Sequence, residues 1–339
     1  MMAARSSPTH DWRVIAGMML CLIAAAAASL HLGLRHYAPW QVIDALFNDS
    51  QSTEGLIIRT LRLPRTVNAL VVGAALAVSG LLMQSVTRNP LAAPGVLGVN
   101  AGAALAVVLG LSLFGIVSLT ALAGLAAAGA LAATTLVFGI TLSAGRSFSP
   151  VHVLLAGVTV AALLASFTQI VLVTDESTME SLLFWLSGGF ADRPLRLLAI
   201  GGPAIAVAFI AVLPLARALD VLMTDDDSAQ SLGVPVLRIR LAALGLAAVL
   251  AGISVSIAGP VVFIGLIAPH IARHLVAPAH AVLIPAAALV GAMLAILADI
   301  LARYLVAPGE APVGAVLALI GVPVLIILLR SRRMVLQRR

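Results

Sequence analysis

The chain has 339 residues, of which 61% are hydrophobic and 10% charged, with a formal net charge of +6. Soluble domains carry about a quarter charged residues, and with a mean hydropathy of +1.12 this chain could not cover a water-facing surface with polar groups. All 20 basic residues are arginine. The missing lysine excludes the usual P-loop ATP site, whose lysine reaches the β- and γ-phosphates. The scatter of arginines between apolar runs fits anchoring at lipid headgroups rather than a nucleic-acid face.

A membrane helix needs ~20 mostly apolar residues. Ten spans are predicted, in order Arg13–Leu34, Arg62–Met83, Ala93–Leu111, Gly115–Leu142, Val151–Val173, Leu195–Ala216, Val236–Ile257, Val261–Val276, Ala281–Tyr304 and Pro312–Leu329. The first is too long for a signal-peptide core and is read as a retained span. It holds the single cysteine, Cys21, for which packing is the expected role. The third and eighth are short and flanked by Gly and Pro, as tilted, broken or re-entrant segments are. The expected fold is an all-α integral membrane protein with a cytoplasmic tail at 1–12, one transmembrane domain at 13–330 and a basic cytoplasmic tail at 331–339.

Arginine placement orients the chain. With the N-terminus inside, 13 of the 20 fall on inner segments: Arg5, Arg13, Arg88, Arg146, Arg217, Arg238, Arg240, Arg273, Arg330, Arg332, Arg333, Arg338 and Arg339. The outer exceptions are Arg35, Arg59, Arg62, Arg65, Arg193, Arg196 and Arg303. Both termini inside requires an even number of spans, which ten satisfies.

The first outer loop contains PWQVIDALF, an interfacial helix candidate with Trp40 and Phe47 at headgroup depth. The loop around Thr174–Arg193 carries Asp175, Glu176 and Glu180. The inner loop 217–240 carries TDDDSAQSLGVP. Ala74–Gly95 and Ala247–His270 echo each other: a small-residue helix, then Gly or Asn before Pro, then L-x-A-P. The echo is a candidate inverted repeat relating spans 2–5 to spans 7–10.

Four segments carry more than composition: RLPRT at Arg62–Thr66 leading to QSVTRNPLAAPGVLG; SLGVP at Ser231–Pro235; GPVVFIGLIAPHIAR at Gly259–Arg273; and ADILAR, EAPVG and GVP between Ala298 and Pro323. As an ordered set, from about Arg59 to Leu329, they resemble the FecCD-type permeases, the membrane subunits of bacterial importers for iron–siderophore, haem and vitamin B12. The resemblance implies a ten-helix subunit of the inner membrane, paired with a second copy or a paralogue. It implies two cytoplasmic ATPase subunits that hold ATP-Mg, and a periplasmic or lipid-anchored solute-binding protein that delivers a metal chelate. No cofactor is expected on this chain itself.

The resemblance assigns Arg62, Arg65 and Arg303 to docking of the binding protein, because a guanidinium–carboxylate fork gives oriented contact. Headgroup anchoring is the other reading, and for Arg303 an i,i+4 pair with Asp299. The inner loop is the candidate ATPase-coupling element. Asp225, Asp226 and Asp227 suit a helix start, and Ala229, Leu232, Gly233 and Val234 follow, the first three as a small contact face. An ordinary solvated loop is the alternative. Asp225 stands where the family has glycine, and VAPAHAV keeps only His280 of the family's later Gly and Asp-His-Arg. In span five, Thr159, Ser166 and Gln169 are candidate pore-lining residues, with small-residue helix packing as the alternative. His270 and His274 lack the partners of a metal site, so no metal is expected.

Two other classes remain. A secondary transporter needs mid-bilayer acids, and Asp299 near a helix end is the clear span acid. A membrane enzyme needs a paired-carboxylate, nucleophile or metal motif, and the spans supply none.

Overall fold

The computed structural model describes residues 8–33, 35–48, 52–143, 150–174, 176–306 and 309–336. Arg5, Arg146, Arg338, Arg339 and Asp175 lie outside them, as do the ends of both predicted tails. Regular structure in the described residues is helical throughout.

Helix α1 (Pro8–His31) is followed by α2 (Pro39–Phe47), which is the predicted PWQVIDALF helix, with Trp40 and Phe47 both exposed. Next, α3 (Thr53–Ile57) runs through a π-helical turn, Ile58–Arg62, into α4 (Leu63–Thr87) without a break. The second span was expected to begin at Arg62; its helix begins nine residues earlier, where Ser52 Oγ accepts the Gly55 N–H at 3.1 Å as an N-cap. After a 3₁₀ turn at Pro94–Leu97 come α5 (Val99–Phe114), α6 (Leu119–Ser143) and α7 (Pro150–Thr174). The expected outer loop forms α8 (Glu176–Leu186), whose Leu182 and Trp185 are buried. Helices α9 (Leu195–Val212), α10 (Ala216–Leu222), α11 (Asp226–Ser231), α12 (Val236–Ala258), α13 (Ile264–Leu275), α14 (His280–Leu305) and α15 (Val313–Leu336) complete the chain.

Among the described residues, seven helical segments are long and apolar enough to cross a membrane by length and composition: those of α1, α3–α4, α6, α7, α9–α10, α12 and α14. Of the other three predicted spans, α5 has 16 residues and α13 has 12, while α15 has 24. At 1.5 Å per residue, α13 covers about 18 Å of a hydrocarbon core about 30 Å thick. The cause lies in the break before it. Gly259 takes φ +70°, Pro260 follows, and Phe263 takes φ +68°. The echo with Ala74–Gly95 does not extend to local geometry: Pro94 opens the 3₁₀ turn, whereas Pro269 lies inside α13.

The core is α4. In its most apolar window 78% of residues are buried, against 17% for α7. It runs antiparallel to α12 and α14: Ser79 Oγ donates to Ala247 O at 2.6 Å, and Gly73 packs on Gly291. The glycine approach is backbone to backbone. A Cβ on Gly80 would sit 1.8 Å from Gly265 O, so α4 and α13 touch at a point where no side chain fits. Small residues at helix contacts are the usual device where the surrounding solvent is itself apolar.

Candidate functional site

Polar groups gather at the two ends of this core. At the first end, the π-turn and the first turn of α4 direct Arg62 and Arg65 inward. Arg65 Nε donates to both oxygens of Asp299 on α14, at 2.7 and 2.9 Å. Its Nη1 donates to both oxygens of Glu310, at 2.7 Å each. Arg303 Nη2 donates to Asp299 Oδ2 at 2.6 Å and to Ser29 Oγ at 2.9 Å, and its Nη1 reaches the Ser29 and Leu32 carbonyls. The i,i+4 pair of Arg303 with Asp299 is therefore formed. Arg62 donates to the carbonyls of Leu30, Leu32 and Arg35 and lies over the Tyr37 ring, 4.4 Å from its centroid. It thereby closes the loop after α1 onto α4.

All three arginines are at most 9% exposed, and Asp299 is fully buried, while the Glu310 side chain is 41% exposed. Two guanidiniums share one buried carboxylate, and the second carboxylate holding Arg65 stands at the surface. A cleft of about 320 Å³, bordered by Arg62, Arg65, Arg303 and Glu310, opens beside the cluster. An adjoining cleft of about 350 Å³ lies between Arg65 and the Gly188–Arg193 loop. That loop is pinned from below, because Gly189 N–H donates to Ala258 O at 2.8 Å and Gly188, at φ +59°, lies against Pro260 O.

The second end holds the acidic segment. Asp225 caps α11, its carboxylate accepting the Ser228 N–H at 2.8 Å and the Ser228 hydroxyl at 2.7 Å. These hydrogen bonds hold its pKa below the ordinary carboxylate value. Asp226 Oδ1 accepts from Arg88 Nη2 at 2.6 Å and from Arg240 Nη2 at 2.8 Å. Burial alone would raise the Asp226 carboxyl; the two guanidiniums outweigh it and hold the carboxyl low. Arg88 ends α4 in a left-handed conformation, φ +50°, and also donates from Nε to Leu222 O at 2.8 Å. One carboxylate thus ties the foot of α4 to the start of α12 through α11.

Asp227, in the first turn of α11, is exposed. Ala229 was grouped with Leu232 and Gly233 as a contact face, but its side chain is fully buried within the chain and cannot present itself. The exposed tip is Leu232, 69% accessible, followed by Gly233 at φ +79° and by Val234, whose N–H donates to Ala229 O at 3.0 Å.

Nearby, His280 Nδ1 lies 2.6 Å from Asp220 Oδ1, and its Nε2 lies 2.7 Å from Ser85 Oγ. The buried ring joins α10, α14 and α4. Spacings of 60 and 195 residues leave no local pattern from which this could be read. Arg273 Nη1 donates to Gln84 Oε1 at 2.5 Å, and the His270 and His274 rings lie 4.6 Å apart. Among the described residues no group of three or more His, Cys, Asp or Glu is gathered to hold a metal.

On α7, Thr159, Ser166 and Gln169 are all exposed. At 100° per residue they share an arc of about 80°. Thr159 and Ser166 return their hydroxyls to the Leu155 and Ala162 carbonyls of their own helix, each at 2.9 Å. Leu155, Val158, Leu163, Phe167 and Ile170 are exposed beside them.

The sequence profile of the FecCD transport family matches residues 21–331. The chain is 41% identical over 266 residues to the ferric enterobactin transport system permease protein FepD of Escherichia coli K12, covering 78% of this chain and 80% of that one. It is 37% identical over 288 residues to the probable siderophore transport system permease protein YfiZ of Bacillus subtilis 168, covering 85% and 86%. A solved inward-facing conformation of a transporter assigned to the metal-chelate ABC type superposes with a TM-score of 0.82 at 30% identity, over 94% of this chain and 99% of that one. A membrane-embedded helical core, the ordered motifs and a profile match across nearly the whole length lead to one assignment: the chain belongs to the FecCD transport family.

Proposed function

We propose that this chain is the membrane-spanning permease of an ATP-driven importer that moves a ferric siderophore or a related metal chelate across the bacterial inner membrane. The observation that carries the reading is its membership of a family whose similar members include permeases named for ferric enterobactin and siderophore transport. In this reading α5, α13 and α15 complete ten crossings and both termini are cytoplasmic. A second copy or a paralogue pairs across the exposed face of α7, where Thr159, Ser166 and Gln169 line the passage. Two ATPase subunits bind ATP-Mg and seat against α11, with Leu232 and Gly233 at the contact. A solute-binding protein docks over the Arg62, Arg65 and Arg303 cluster. The clefts beside Arg62 and Arg65 support that role, since they give a partner's carboxylate a route to guanidiniums that are otherwise covered.

The test is uptake by the complex reconstituted in vesicles with its ATPase, using labelled ferric siderophore, haem and cobalamin in parallel. ATP-dependent uptake of the ferric siderophore is the expected result. Uptake at the same rate without the ATPase would overturn the proposal.

A further inference from the structure

Across the cleft from Glu310, the loop before α9 presents one more guanidinium. Arg193 is 7% exposed. Its backbone oxygen accepts Asn68 Nδ2 at 2.7 Å, which fixes the chain at that residue. Among the described residues its guanidinium makes no hydrogen bond and no ion pair; the charge that acts on it is its neighbour Asp192, and burial holds its pKa below the ordinary arginine value. Arg62, Arg65 and Arg303 differ in kind, since each donates to several groups of the chain. No Arg193 nitrogen is among the fully buried side-chain atoms that lack a partner, so the guanidinium reaches into the cleft it lines.

Arg193 lines the 350 Å³ space together with Arg65, Phe190, Glu310 and Pro312. That space adjoins the one beside Arg62, with Arg65, Asp192 and Glu310 bordering both. Around the two clefts, four buried guanidiniums (Arg62, Arg65, Arg193, Arg303) and the exposed Arg35 face three carboxylates (Asp192, Asp299, Glu310). The surplus of positive charge favours a partner's carboxylate. A polyanionic chelate would meet Asp192 and Glu310 as well as the cations, whereas a single acidic side chain would not overfill it.

We infer that Arg193 is a further docking residue, which receives one Glu or Asp side chain of the solute-binding protein in the cleft between the Gly188–Arg193 loop and Glu310. The inference rests on the proposal that this end of the permease is the docking end. It is tested on the full transporter in nanodiscs by measuring the Kd of its solute-binding protein and the Tm of the permease for R193Q, R193K and R62Q, with D299N as the Tm reference for a structural charge. The expected result is docking weakened about tenfold or more by R193Q, as for loss of one partner of a desolvated charge pair, with part of the affinity kept by R193K and no fall in Tm. Unchanged docking in R193Q alongside weakened docking in R62Q would remove Arg193 from the interface while leaving the docking end in place. Unchanged docking in both would remove the docking end itself. A Tm drop in R193Q comparable to that of D299N would make the guanidinium structural and overturn the inference.

Discussion

The two ends of α4 use the same chemistry to different effect. At one end two buried arginines share the buried Asp299. At the other, Arg88 and Arg240 share Asp226, whose side chain is 37% exposed. Both are forks on a single carboxylate, and solvent separates them. Where water is excluded, removing one partner strands two charges at a cost of about 3–5 kcal/mol. Where water is present, an ion pair contributes at most about 1 kcal/mol. The first end is closed to water, while at the second the shared carboxylate is part-exposed and is held less tightly.

Four measurements sharpen or break that contrast. The largest effect is expected from D299N, which leaves Arg65 and Arg303 without their shared anion; thermal unfolding of the purified protein in detergent should fall by about 3–5 kcal/mol. An unchanged Tm would erase the difference between the ends. G80A comes next. Its Cβ would stand 1.8 Å from Gly265 O, so α4 and α13 must separate, costing on the order of 1–3 kcal/mol by the same assay and disturbing both ends equally. Third, G233V forces a β-branched residue to φ +79°, a strain of about 1–2 kcal/mol confined to the turn after α11. Transport-coupled ATPase activity should drop while Tm holds, and full coupling would detach α11 from the ATPase contact.

The smallest effect is a matter of pH. Asp225 and Asp226 both have carboxyls held below their ordinary range. A carboxylate with a depressed folded pKa contributes stability above its unfolded pKa and loses it as pH falls through the folded one. Amide exchange in α11 should therefore quicken first on acidification below the usual carboxylate range, ahead of any change around Arg65. Simultaneous loosening of both ends would count against independent behaviour.

Much of this fold was legible. Apolar runs located every long helix, because lipid demands them. The π-turn and α8 were hidden in segments polar enough to pass for loops, although Ser52 ahead of Thr53-Glu54-Gly55 is a helix start that sequence offers. The shortness of α13 was expected from its flanking Gly and Pro, but its start was not, because Val261 and Val262 extend the apolar run ahead of Ile264, where the helix begins. Within the cluster, Arg303 and Asp299 are four apart, and their pairing was the alternative reading beside docking. Arg65 lies 234 residues from Asp299 and 245 from Glu310, and no local period links them. The Ala229 side chain was misdirected for a related reason: in a helix of six residues, composition does not tell which side faces the protein.

The bare glycine contacts of α4 with α13 and α14 carry a mechanical consequence. Interlocked side chains can slide by hopping between rotamers, but main chains pressed together at Gly80–Gly265 and Gly73–Gly291 have no such bearing. Those three rods are expected to travel as a single block whenever the transporter changes shape. Displacement between conformations then falls to the sparsely covered α1, α7 and α9, whose most apolar windows are 22%, 17% and 22% enclosed.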